Sequence, residues 1–337
     1  MDLLPSSDQQ QIVDTIQDFL RNEAPVDRLR EFGAIGNSDA KLWPKLAELG
    51  FFGLSLPEEM GGIGLSAAEE MLVFQQFGYH LISPAIFGTI LGARVAAFSG
   101  DAHLRDALLS GEARVGVANS RGAAGGTDAF HLFEADEAEL ILLCDDDEAA
   151  LYPRSAFTHI ERVNSTDAVL VLERARLGDS VEPRVRVSKE TENIHARALM
   201  LMGAYALGIG QGARDMAVEY AQVREQFGKP IGSFQAIKHI CADMAIRSEA
   251  ALCQASFAAL VMDDASPDTE FHAVASKIVA CESAIKNAAD CVQVHGAFGF
   301  TAEANVHHYL KRSHVADRLF GGLREQRRRI LTFPTPA

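Results

Sequence analysis

Arg224, Gln226 and Phe227 fall within Arg224-Glu225-Gln226-Phe227-Gly228-Lys229-Pro230, which sets a guanidinium, an amide and an aromatic ring around one turn. A guanidinium fixed at a helix end is suited to gripping phosphate through parallel hydrogen bonds, and Gly228 permits the turn that stops the helix. The small residues of Gly296-Ala297-Phe298-Gly299 let backbone approach a ligand closely. The same residues also suit a plain structural role, with Arg224 and Glu225 solvating a helix end and Gly228-Lys229-Pro230 forming an ordinary turn. His307 and His308 are neighbours on a helix and point in different directions, so no shared metal ion is expected. The run Arg324 to Arg329 offers charge to phosphates, but a solvated basic helix end also complements its own dipole. The five cysteines (Cys144, Cys241, Cys253, Cys281 and Cys291) include no Cys-x-x-Cys pair and suit reduced thiols.

These residues must be positioned mainly by helices. The chain is 48% hydrophobic but only 7% aromatic, and it is rich in Ala and Leu. Asp8 is placed to cap a helix carrying Ile12, Ile16 and Leu20 on one face, and Leu42, Leu46 and Leu49 repeat at the same period. Between Ala113 and Glu182 the texture changes to short runs such as Leu140 to Leu143 and Ala168 to Leu172, which read as strands. Beyond Ser188 helical patterns return, including a stripe of Ile237, Cys241, Met244, Ser248, Leu252 and Ala255. The expected fold is mostly α with an inserted small β domain: a helical domain over residues 1–112, a short β domain over 113–187 and a helical bundle over 188–337. A net charge of −15 argues against nucleic-acid or anionic-membrane binding. There is no long uncharged apolar run and no basic start followed by an apolar stretch, so a cytoplasmic protein without processing is expected.

Three segments together resemble the flavin-dependent acyl-CoA dehydrogenase family. They are Leu46 to Leu54 with the Pro57-Glu58-Glu59-Met60-Gly61-Gly62-Ile63-Gly64 loop, Arg224 to Gln235, and Gln293-Val294-His295-Gly296-Ala297-Phe298-Gly299-Phe300-Thr301. The resemblance implies a helical lobe, a β middle domain and a C-terminal four-helix bundle, with FAD bound between subunits. It places Arg224, Gln226, Phe227, Phe234 and Gln235 at the nucleotide, together with Gln293, Val294, His295, Gly296 and Ala297. It also implies an acyl-CoA substrate and an electron-transfer flavoprotein or similar acceptor.

The departures from the family concern the base. The glutamate that removes the substrate's α-proton usually stands in a turn matching Leu319-Phe320-Gly321-Gly322, where this chain has Phe320, with Gly321 beside the substrate. The alternative position on the long helix matches Ala198. The family's Thr-Glu-Pro loop corresponds to Ala118 to Asp128, of which only Gly126-Thr127-Asp128 keeps the pattern. Asp317 is the nearest carboxylate and the candidate base, unless it pairs with a basic residue on a solvated face; Glu303 and Glu325 are weaker candidates. These departures resemble the short subunit of heteromeric (heterotetrameric) acyl-CoA dehydrogenases of steroid side-chain degradation. They imply a subunit of an enzyme that desaturates an acyl-CoA between Cα and Cβ, with a homologous partner or a second copy completing the site. A non-catalytic subunit that stabilises an active partner is the alternative.

Overall fold

The computed structural model describes residues 3–32, 41–120 and 129–336. The N-terminal helices are α1 (Ser7–Glu23), α2 (Leu29–Phe32), α3 (Trp43–Glu48), α4 (Ala67–Tyr79), α5 (Ala85–Ser99) and α6 (Ala102–Leu109). The cap of α1 is Ser6, whose hydroxyl accepts the Gln9 N–H while the Gln9 side chain returns to the Ser6 N–H. This corrects the expectation of Asp8, which lies inside the first turn, where its charge favours the helix dipole. Ile16 and Leu20 are buried as their spacing requires.

Seven strands follow: β1 (Val115–Ser120), β2 (Ala129–Phe133), β3 (Leu140–Cys144), β4 (Glu148–Pro153), β5 (Phe157–Arg162), β6 (Leu172–Leu177) and β7 (Val185–Ser188). They form one sheet in the order β5-β6-β2-β1-β3-β4-β7, in which β1 and β3 are parallel and the other pairs antiparallel. Both faces are packed. Val115, Val117, Leu140 and Leu142 join the main core, while Ala118, Phe130, Ile141 and Phe157 build a smaller cluster on the other face. Most of the run Ala168 to Leu172 is not strand, because β6 begins only at Leu172. It is a buried turn: the Leu170 N–H bonds the Asp167 carbonyl, and the Val171 N–H donates to the Glu134 carboxylate at 2.6 Å. An apolar run this short has no periodicity to separate a strand from a buried turn.

The C-terminal helices are α7 (Ile194–Val223), α8 (Gln235–Asp263), α9 (Thr269–His295), α10 (Val306–Arg318) and α11 (Leu323–Arg329), with the short hairpin β8 (Glu225–Gln226) and β9 (Lys229–Pro230) between α7 and α8. The first half of α7 is buried all round, packed against α4, α8, α9 and α10. Glycine lets α4 and α7 approach closely. A Cβ on Gly78 would lie 1.9 Å from the Tyr205 carbonyl oxygen, and one on Gly208 1.9 Å from that of Gln75. Among the described residues no helix is long and apolar enough to cross a membrane.

One buried guanidinium ties these layers together. Arg312 on α10 is fully buried; its Nε donates to Asp167 at 2.6 Å and its Nη1 to the carbonyls of Leu81 and Ile82 and the Tyr205 hydroxyl at 2.8–2.9 Å. Removing one partner leaves an uncompensated buried charge. Arg312→Met and Asp167→Asn are each expected to cost roughly 3–5 kcal/mol in denaturant unfolding, and the double variant less than their sum; equal additive losses would show the pair to be uncoupled. Burial also pushes the His80 and His308 imidazoles down to about 4, so both are neutral in the fold. The unfolded chain binds more protons below the ordinary value of 6.5, so stability falls as pH drops from 6.5 towards 4. His308→Gln should flatten that fall in urea titrations across the same range.

Candidate functional site

The chain leaves α7 at Arg224, and the hairpin that follows turns at Phe227 and Gly228, with φ of +53° and +78°. Two consecutive left-handed residues make the tight turn suited to a two-residue hairpin. Glycine takes this shape freely, whereas a bulky aromatic residue is strained in it. Phe227 is nonetheless 93% exposed, its ring edge-on to Phe234 at 6.0 Å. Lys229 Nζ lies 4.5 Å from the centre of the Phe234 ring, and the Gln226 amide donates to the Glu225 carbonyl at 2.8 Å. Arg224 and Gln235 are exposed, and the Arg224 guanidinium makes no ion pair with another described residue.

The second segment stands at the same end of the bundle. The His295 ring stacks on Tyr220 of α7 at 4.1 Å and donates from Nδ1 to the Cys291 carbonyl at 2.8 Å. Phe298 lies nearly parallel to Tyr220 at 6.1 Å. Gln293, Gly296 and Ala297 are exposed, whereas Val294 and His295 are buried, so those two support the surface from below. Gly296 adopts φ +59°, ψ −139°, a backbone region essentially closed to other residues.

Phe320, Gly321 and Asp317 lie elsewhere. Lys277 is the α9 residue that contacts their turn, and it stands sixteen positions before Gln293, about 24 Å along the helix axis. Phe320 has φ +57° and packs on Phe87 at 6.0 Å, in a cluster continued by Phe74 and Tyr205. Its N–H donates to Asn119 Oδ1 at 3.1 Å and its carbonyl accepts from Gln326 at 2.8 Å. Gly321 has φ +88°, and a Cβ there would meet the Gln326 amide nitrogen at 2.6 Å. Asp317 is 9% exposed; its Oδ1 accepts the Leu323 N–H at 2.7 Å, and its Oδ2 lies 3.7 Å from the Arg318 guanidinium. Lys277, 1% exposed, donates to the carbonyls of Leu319 and Gly321, and burial pushes its amine down to about 8.

Sequence reasoning passed over Lys277 and Gln326, and took Asn119 only as part of the altered Ala118 to Asp128 loop. Lys277 had a signal, since it sits on the stripe of Ala273, Val274, Ala280 and Cys281 where a cation is out of place. Ala198 is buried, while Glu303 and Glu325 are exposed. Arg327 pairs with Glu282 at 2.7 Å, and Arg329 with Asp146 at 2.7 Å and Glu270 at 3.4 Å. The His307 and His308 rings are 4.1 Å apart, and no group of metal-ligating side chains occurs among the described residues. The altered loop from Arg121 to Asp128 lies outside the described residues.

Comparison with known proteins identifies the family. The acyl-CoA dehydrogenase N-terminal domain matches residues 6–114 and the acyl-CoA dehydrogenase C-terminal domain residues 192–332. Acyl-CoA dehydrogenase FadE34 of Mycobacterium tuberculosis is 34% identical over 88% of this chain, which spans only 42% of that protein's length. Acyl-CoA dehydrogenase IpdE2 of Mycolicibacterium smegmatis is 31% identical over 87% of both chains. A chain of the ChsE4-ChsE5 complex of Mycobacterium tuberculosis superposes with a TM-score of 0.85 over 99% of this chain and 100% of its own, at 22% identity. The chain belongs to the acyl-CoA dehydrogenase family. It is a family of FAD-dependent flavoproteins, with the helical and β architecture described above.

Asp317 acts here as an acceptor for a helix-starting N–H, a role that asparagine also fills. Asp317→Asn should therefore leave the unfolding midpoint nearly unchanged, while Asp317→Ala loses about 1 kcal/mol; equal losses in denaturant melts would remove the capping role.

Proposed function

We propose that this chain is one subunit of an FAD-dependent acyl-CoA dehydrogenase that desaturates an acyl-CoA thioester between Cα and Cβ, and that a homologous partner subunit supplies the base. The observation that carries this reading is Phe320: the position of the family's acid holds a buried ring among Phe74, Phe87 and Tyr205, and a ring accepts no proton. The nucleotide-facing residues are present by contrast. Arg224 is exposed without an ion pair among the described residues, Phe227 is strained and open, and Gly296 leaves its backbone bare. They fit the adenosine and pyrophosphate half of FAD, with Arg224 gripping phosphate and Phe227 packing on the nucleotide. Bound FAD supplies the acceptor for the β-hydride.

The separation of about 24 Å along α9 supports sharing between chains. The end of the bundle bearing Arg224 and Gln293 is open to a neighbour, while the turn at Phe320 faces inward. Asp317 is the remaining candidate acid, but its Oδ1 is committed to the Leu323 N–H. A bulky steroid side-chain acyl group and an electron-transfer flavoprotein acceptor rest on the resemblance to the heteromeric branch. The same Phe320 packing also suits a second reading, a non-catalytic subunit that stabilises an active dehydrogenase.

Co-expression with the homologous dehydrogenase that pairs with it tests the proposal. The complex should purify yellow and bleach with an acyl-CoA under anaerobic conditions. Arg224→Ala should lower its flavin content at least tenfold without changing the unfolding midpoint of the chain alone. A yellow complex that fails to bleach favours the stabilising subunit, and a colourless one removes both FAD and the desaturation. In the active complex Asp317→Asn should keep full turnover; lost turnover with flavin retained would make Asp317 the base.

A further inference from the structure

The turn from Arg318 to Leu323 is held through its peptide groups by side chains from four separate places. Asn119, at the end of β1, donates to the Arg318 carbonyl and accepts the Phe320 N–H at 3.1 Å. Gln326 donates to the Phe320 carbonyl at 2.8 Å, and Asp317 accepts the Leu323 N–H at 2.7 Å. Lys277 takes the carbonyls on either side, those of Leu319 and Gly321. An ammonium buried to 1% exposure without an ion pair among the described residues is costly to keep. Met is nearly as long and would fill the space without that penalty. What Met lacks is the pair of hydrogen bonds bracketing Phe320 and Gly321, whose φ angles are +57° and +88°. Left-handed backbone at an aromatic residue persists only where the surroundings over-determine it.

We infer that Lys277 is the positioning residue of this turn, fixing Phe320 and Gly321 through the carbonyls of Leu319 and Gly321 rather than filling space in the core. Gln326 and Asp317 hold single points and Asn119 takes Arg318 and Phe320, whereas among these four Lys277 alone spans both left-handed residues from below. The inference deepens the proposed function, in which this turn stands where the family carries its acid. Its test reads the turn and not turnover, so the two can fail separately.

The test is amide hydrogen exchange on the full chain, following peptides that cover residues 317–323 with the Arg224 to Gln235 hairpin as internal control. Lys277→Met should accelerate exchange of the Phe320 and Leu323 amides at least tenfold and leave the hairpin unchanged. If Lys277 only filled space, Met would leave the turn's exchange as it was, and that result overturns the inference. Equal acceleration of turn and hairpin also overturns it, since the effect would then be global. Should Lys277→Met fail to accumulate as folded protein, Lys277→Gln is read at the same amides. Its shorter side chain cannot span both carbonyls, so acceleration confined to the turn is expected and unchanged exchange rejects the role.

Discussion

A guanidinium sealed from water must find its hydrogen bonds inside the protein, and Nε and Nη1 of Arg312 find theirs in three different parts of the chain. Asp167 comes from the turn before β6, the Leu81 and Ile82 carbonyls from the segment after α4, and the Tyr205 hydroxyl from α7. The sheet is thereby docked on the bundle at a fixed place. Glu134 adds a second tether, accepting from Ser83 at 2.9 Å and from Val171 at 2.6 Å, with its carboxyl pushed up to about 7 by burial. Asn119 at the end of β1 meets Phe320 from this docked sheet. The turn at Phe320 thus takes one of its hold points from the layer that the buried charge pair ties to the bundle.

The helix α9 then acts as a ruler. Its early turns carry Lys277 beneath the Phe320 turn, and its last turn carries His295 stacked on Tyr220. A straight helix cannot bring those ends together, so one chain presents its exposed hairpin and its inward turn in different places. Exposure follows the same division: Phe227 and Phe300 are 93% and 82% exposed, while Phe320 is 5% exposed. Open aromatic side chains at one end of a bundle suit a surface that something else covers.

Much of this was legible in the sequence because periodicity reports burial directly. Ile16 and Leu20 on α1, and Met244, Ser248 and Ala255 on α8, are buried as their spacing requires. Gly228-Lys229-Pro230 marked the turn that ends α7, since a tight turn demands particular residues, but not the hairpin around it. Tertiary interactions were not legible. Ala168 to Leu172 has the composition of a strand, but Arg312 and Glu134 hold its neighbours as a turn, and neither partner is near it in sequence. Val294 and His295 belong to a segment whose neighbours are exposed, yet the helical twist turns both inward. Ser6 in place of Asp8 as the cap is a shift of two residues, which composition alone does not resolve.

The Phe320 turn holds an aromatic side chain in one conformation among buried neighbours. A carboxylate there would be desolvated among Phe74, Phe87 and Tyr205, with the Lys277 amine beneath the same turn. A ring instead gains contact with that cluster and places no charge in it. Yet this chain still carries a buried lysine and two left-handed residues at the turn, features that a simple apolar loop would not require. The turn thus sets the Phe320 ring against Phe87 of α5 while Asn119 of β1 and Lys277 of α9 fix its backbone.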